Sequence, residues 1–253
     1  MTKTRRISLL ILSVLLSAVT VVSGFTVYRE LSLQQKEKED FAALVKLVQI
    51  TSPKPQQFNE TQSPSDDKPE PVRSLAPLFA QNSDYIGWLS IPDTQLNYPV
   101  MYTPESPQKY LRRNFDGGYS QSGVPFLDYR CDTGCTNRMI YGHNMKNGTM
   151  FGTLIHYTDP AYAAAHPVIT FQTADGLEKY IVFAVVPVQK TDAWYSFIHA
   201  ADGAEFDKQV TFLRSKSLYD IGVTPVYGQQ LLTLSTCYGS GKDGRLIVAA
   251  AQL

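Results

Sequence analysis

Cys237 closes the apolar run TLSTC and opens the glycine-rich loop YGSGKDG, on whose far side stands Arg245. Residues 230–237 and 245–252 read as two strands of a hairpin, which would set Cys237 opposite Arg245 on one sheet face. A thiolate is a nucleophile, and a guanidinium offers planar, permanent donors suited to a substrate carbonyl or a developing oxyanion. Free cysteines are also common as small core hydrophobes, and the hairpin alone leaves the two readings even. His143 follows the strand-like run Met139-Ile140-Tyr141 and a glycine, where the chain opens into a loop containing Lys146-Asn147-Gly148. Imidazole is the usual partner that turns a thiol into a usable nucleophile near neutral pH. His156, His166 and His199 lie in or beside expected helices and read as structural or surface groups. His143 would be read the same way in isolation. Its combination with Cys237 and Arg245 sets it apart.

These side chains need a scaffold, and the text after Ser74 supplies one. Short segments rich in β-branched and aromatic residues follow one another: YIGWLSI, YPVMY, GVPFLDY, RMIYGH, VITFQT, KYIVFAVVPV, QLLTLSTC and RLIVAAAQL. Gly, Pro, Asp and Asn separate them, as expected of strands. Asp175-Gly176 marks a hairpin. Asp159-Pro160 before AYAAAH predicts a short helix with an N-cap and a first-position proline. Asp202 with Glu205 predicts a capped helix whose Phe206, Val210 and Leu213 share one face. Many short strands and few helices predict a mostly β fold, a closed antiparallel barrel with helices inserted in its connections. No internal repeat is present.

The 253 residues carry zero formal charge, enough chain for one sizeable domain with appendages and no electrostatic reason to expect nucleic acid. Lys3, Arg5 and Arg6 precede an apolar run from Ile7 to Tyr28, about 33 Å long as a helix and sufficient to cross a bilayer. The positive flank predicts a cytoplasmic N-terminus with everything after Tyr28 outside the cell. A cleavable signal with its cut near Val22-Ser23-Gly24 is the competing reading, and it exports the rest of the chain equally. Residues 29–50 predict a juxtamembrane helix, with Phe41, Leu44, Val45 and Val48 at helical spacing. Residues 51–73 carry Pro53, Pro55, Pro64, Pro69 and Pro71 among polar residues and read as a solvated linker to a domain spanning 74–253.

The run from Asn82 to Pro92, then Tyr98-Pro99-Val100, KYLRRNFDGGYSQSGVPFLDYR, IYGHNMKNGTMFGTL and finally TLSTC with Arg245 resembles a class B sortase, with the motifs in that family's order. The resemblance implies an eight-stranded barrel, extra N-terminal helices and a helix between the sixth and seventh strands, where residues 202–215 fall. It also implies a membrane-anchored cysteine transpeptidase of Gram-positive bacteria, acting at the cell surface. Residue by residue, the family's catalytic histidine matches His143, its nucleophile Cys237 and its arginine Arg245. Ser235 sits two residues before the nucleophile and points to the same side. It is assigned a substrate contact, with lining of the barrel as the alternative.

By the same resemblance the partners are secreted proteins bearing a C-terminal sorting signal, cut after its threonine. The acceptor is an amine on a peptidoglycan precursor or a pilin subunit. The alternatives are a cysteine hydrolase using water, a pilin-polymerising sortase and a non-catalytic binding module. The chain stops at Leu253 without a second apolar span, which by family analogy favours anchoring over polymerisation. No carboxylates cluster as a calcium site would require, so no cofactor or metal is expected and activity should persist in excess chelator. Cys131 and Cys135 depart from the family pattern. Outside the cell they could form a disulfide bracing the chain before His143, remain free thiols, or contribute to a metal site that lacks two further ligands.

Overall fold

The computed structural model describes residues 3–48, 74–132 and 134–253, with side chains from residue 11 onward in the first of these stretches. The expected linker at 51–73 lies outside the described residues, as do positions 49 and 50 of the expected juxtamembrane helix. The chain divides into two compact units, residues 1–46 and 47–253.

The first unit is one helix, α1 (Lys3–Leu47), which runs unbroken through the boundary drawn at Tyr28. Its apolar part is long enough to cross a membrane. Hydroxyls within that part bond back to the helix: Ser17 Oγ donates to Ser13 O at 2.9 Å and Thr20 Oγ1 to Leu16 O at 2.9 Å, the self-satisfaction that a hydrocarbon setting would demand.

The second unit begins with α2 (Ala76–Gln81) and is built on eight strands: β1 (Tyr85–Ser90), β2 (Asn97–Met101), β3 (Phe126–Leu127), β4 (Asn137–Tyr141), β5 (Val168–Thr173), β6 (Gly176–Gln189), β7 (Leu231–Cys237) and β8 (Gly244–Gln252). They close into a barrel in the order β1-β2-β3-β4-β7-β8-β6-β5. The expectation of an antiparallel barrel is corrected at two places, because β2 pairs β3 and β4 pairs β7 in parallel. Parallel neighbours need a long crossover. The chain between β4 and β7 provides it, carrying β5, β6 and the helix α4 (Gly203–Ser215) before it returns.

Local chemistry sets the helices. In α3 (Pro160–Ala165), Asp159 caps by accepting from Ala161 N at 2.9 Å. In α4, Asp202 accepts from Glu205 N at 2.9 Å and Glu205 reaches back to Ala201 N, one residue ahead of the cap. Phe206, Val210 and Leu213 are the buried stripe of α4. A 3-10 helix over Phe151–Thr158 precedes α3, an element without a clear periodic signal in the sequence.

Strands β7 and β8 are buried along nearly their whole length rather than on alternate residues. Both strands also pack against the 3-10 helix, hence their near-continuous apolar text. A buried polar chain ties this region together. Trp194 Nε1 donates to Thr233 Oγ1 at 3.1 Å, Thr233 Oγ1 to Asn137 Oδ1 at 2.7 Å, and Asn137 Nδ2 to Phe197 O at 2.9 Å. Each donor finds an acceptor, so the polar groups in the core cost little. The chain locks β4 to β7 and to the connection leading into α4.

Candidate active site

The parallel pairing of β4 with β7 has a direct consequence. Tyr141 lies beside Ser235 in the register, so both strands leave the barrel at the same end. His143, two residues beyond Tyr141, and Cys237, two beyond Ser235, therefore emerge side by side. An antiparallel pair would have sent them to opposite ends. On the other flank of β7, Cys237 is the register partner of Arg245 on β8. His143, Cys237, Arg245 and Ser235 all line one cleft of about 460 Å³.

Past the last ladder pair, one backbone bond and two side-chain bonds continue the stitching. Gly142 N donates to Ser235 O at 3.2 Å, Thr236 Oγ1 to Gly142 O at 2.7 Å and Asn144 Nδ2 to Cys237 O at 2.9 Å. Gly142 is a glycine for a steric reason. A Cβ there would lie 2.6 Å from Cγ of the Phe151 ring, which packs directly on the backbone.

The His143 ring is held from a third direction. Its Nε2 lies 2.9 Å from the carbonyl oxygen of Leu111. A carbonyl only accepts, so Nε2 carries the hydrogen and Nδ1 is left to exchange a proton. Leu111 belongs to a 3-10 turn, Lys109–Arg112, which is itself pinned. Tyr110 donates from its hydroxyl to Asp84 at 2.9 Å, and Val124 N donates to Tyr110 O at 3.0 Å. Burial holds the His143 pKa below the usual imidazole value; the Leu111 carbonyl pulls it upward and the Arg112 charge pushes it down again. The resting imidazole is thus mainly neutral at pH 7. Replacing Arg112 with Gln removes a cation that disfavours the imidazolium, so the His143 titration midpoint followed by NMR is expected to rise. A midpoint that stays put or falls would show that Arg112 does not act on this ring.

Cys237 is exposed and is the free cysteine among the described residues. The Arg245 guanidinium is steadied from behind, donating from Nη1 to Lys242 O at 3.0 Å and Gly244 O at 2.8 Å. Ser235 is buried, and its Oγ lies 2.7 Å from the Tyr195 hydroxyl. Burial drives the Tyr195 pKa up to about 12, Ser235 and Arg245 oppose this rise, and Cys237 adds to it. The phenol therefore remains a neutral donor or acceptor in the cleft wall.

Among the lining residues that sequence reasoning missed are Asp128, Arg130, Tyr141 and Tyr195. The run FLDYR held a signal for the first two, since a carboxylate two residues from an arginine in a loop suggests a local ion pair. Tyr195 offered none. Of the other histidines, His199 is exposed. The His156 and His166 rings pack on Tyr162 at 5.3 and 4.4 Å.

Cys131 and Cys135 are joined in a disulfide, with Cα atoms 5.2 Å apart, and among the described residues no cluster of three or more His, Cys, Asp or Glu side chains could hold a metal. Closing a five-residue ring restricts the unfolded chain by about 2 kcal/mol. Cys131→Ala/Cys135→Ala is expected to lower the unfolding midpoint of the catalytic unit by about 4–8 °C, and a reductant should lower the unsubstituted protein equally. An unchanged midpoint in both experiments would contradict a stabilising bridge.

A closed eight-stranded barrel with a thiol, an imidazole and a guanidinium at one mouth is the architecture of a cysteine transpeptidase of the sortase type. The sortase domain pattern matches residues 89–253. Sortase B of Listeria monocytogenes is 34% identical over 181 residues, which cover 69% of this chain and 72% of that protein. Among solved structures, sortase B from B. anthracis is 32% identical with a TM-score of 0.64, covering 72% of this chain and 85% of that one. Sortase B of Clostridium perfringens is 26% identical with a TM-score of 0.67, covering 71% of this chain and 100% of that one. The chain belongs to the sortase family, in its class B.

Proposed function

We infer that this sortase is anchored in the cell membrane through α1, cuts secreted proteins after the threonine of a C-terminal sorting motif, and passes them to an amine of a cell-wall precursor. The observation that most supports this reading is the parallel register of β4 and β7, which brings His143 beside Cys237 while Arg245 flanks the same thiol. Lys3, Arg5 and Arg6 at the start of α1 favour a cytoplasmic N-terminus and an external catalytic unit.

The chemistry starts from a neutral imidazole on His143. As Cys237 Sγ attacks the threonine carbonyl, the thiol proton moves to His143 Nδ1, and negative charge gathers on the carbonyl oxygen. Arg245 faces that charge with fixed donors. The tetrahedral adduct collapses when the imidazolium gives its proton to the leaving amide nitrogen, which departs as an amine and leaves a thioester on Cys237. The acceptor amine then attacks the thioester carbonyl, His143 takes the amine proton, and the sulfur leaves to be reprotonated. An amide replaces an amide, so the exchange needs neither an oxidant nor a nucleotide. Ser235, bonded to Tyr195, is assigned the substrate contact in the cleft wall.

Full-length protein in detergent, given a sorting peptide with and without a short amine acceptor, tests the reaction. A product carrying the acceptor is expected. A product that never carries it, at any acceptor concentration, would make the enzyme a hydrolase.

A further inference from the structure

The cleft wall also contains an assembly that the reaction above leaves unused. Asp128 is 5% exposed. Arg130 grips its carboxylate through both forks, Nε to Oδ1 at 2.8 Å and Nη2 to Oδ2 at 2.7 Å, and Arg130 N donates to Oδ1 at 3.0 Å. The Tyr141 hydroxyl donates to Oδ2 at 2.7 Å. From this hub two connections reach Tyr195. Arg130 Nη2 donates to the Tyr195 carbonyl at 2.7 Å, and the Tyr141 ring stacks on the Tyr195 ring at 6.3 Å with an interplanar angle of 18°. Tyr195 in turn bonds Ser235.

We propose that Asp128 and Arg130 are positioning residues, whose bidentate pair fixes the backbone and ring of Tyr195 and through them the Tyr195–Ser235 surface on which the substrate peptide lies.

The need for such a device follows from where Tyr195 sits. It belongs to a 3-10 turn, Ala193–Ser196, in the connection between β6 and α4; its neighbours Trp194 and Phe197 are tied to Thr233 and Asn137, but no strand ladder reaches Tyr195 itself. Arg130 spans 65 residues to hold it. A lysine would keep the charge but lacks the rigid planar edge by which Nε and Nη2 meet both carboxylate oxygens while Nη2 also donates to the Tyr195 carbonyl. Full pairing also matters electrostatically, because an unpaired carboxylate in this wall would oppose the negative charge that forms on sulfur and oxyanion. Burial alone would raise the Asp128 pKa, but the bonds from Arg130 and Tyr141 outweigh it and hold the carboxylate ionised. The pair thus orders a substrate surface without adding a bare negative charge to it.

The proposal rests on the reading of the cleft as a peptide site, so its test carries one readout that needs no turnover. Arg130→Lys and the charge-free double variant Asp128→Asn/Arg130→Gln are compared with the unsubstituted full-length protein. In both, kcat/KM for a sorting peptide is expected to fall about 10- to 100-fold, mostly through KM. The alkylation rate of Cys237 by a small thiol reagent should stay within about twofold, since the thiol's own surroundings are intact. Adding Tyr195→Phe to Arg130→Lys should cost less than the product of the two single losses. Independently of any peptide, the Tyr195 side-chain NMR resonance should shift in both variants, while that of Tyr110 should not. A Tyr195 resonance that stays fixed, or losses that multiply, would overturn the proposal. Absence of peptide turnover in the unsubstituted protein with a shifted Tyr195 resonance would instead sink the peptide-site reading and leave the positioning intact.

Discussion

Cys237→Ala is expected to abolish transfer, with a loss on the order of 10⁴-fold or more, the scale seen when a covalent nucleophile is removed. Two arguments set this size. The thioester divides one hard amide exchange into two easier steps, and no other free cysteine among the described residues could replace it. Stability should change little, because the Cys237 side chain is exposed and fills no cavity. The discriminating result is therefore a folded, inactive protein that still binds the sorting peptide. Retained turnover in a folded Cys237→Ala variant would remove the thiol from the chemistry.

His143→Ala is expected to cost about 10²- to 10⁴-fold in kcat. Without the imidazole, the leaving amine must depart unprotonated and the acceptor amine must lose its proton to water. The ring's setting also predicts a pH signature. Burial holds the His143 pKa below its usual value, so the imidazole is already neutral where a solvent-exposed histidine would be partly charged. The acid limb of the kcat/KM profile should accordingly lie below the ordinary imidazole range, and it should vanish in His143→Ala. The folded protein resists protonating this ring, so below the unfolded pKa the unfolded chain binds the extra proton more readily. Stability from this group is therefore full above the ordinary imidazole pKa and is lost as the pH falls toward the depressed one. An acid limb unchanged in His143→Ala would assign that titration to another group.

Much of this could be read in the text because it is local. All eight strands, the capped helix at 203–215 and the short helix at 160–165 follow from side-chain pattern and cap chemistry. Asp175-Gly176 marks the right hairpin one residue late: the two-residue turn is Ala174-Asp175, and Gly176 opens β6 at φ 140°. The parallel pairings were not legible. Which strand neighbours β4 depends on the path of residues 142–230, not on anything within RMIY. The same limit applies to the site. Cys237 and Arg245 face each other across one hairpin, whereas His143 reaches them through a crossover. Tyr195 bonds Ser235 across 40 residues of chain, and that contact exists in three dimensions only. The 3-10 helix at 151–158 escaped notice because its buried run FGTL has neither strand alternation nor a clean helical stripe.

The most direct measurement is mass spectrometry of the intact protein quenched in acid after brief exposure to a sorting peptide without an amine acceptor. The expected spectrum carries an added mass equal to the peptide fragment ending in threonine. That mass should map to the peptide containing Cys237, be released by hydroxylamine, and be absent from Cys237→Ala. Cleaved peptide in solution with no acyl group on Cys237 at any quench time, or an adduct on another residue, would contradict a thioester at the mouth shared by β4, β7 and β8.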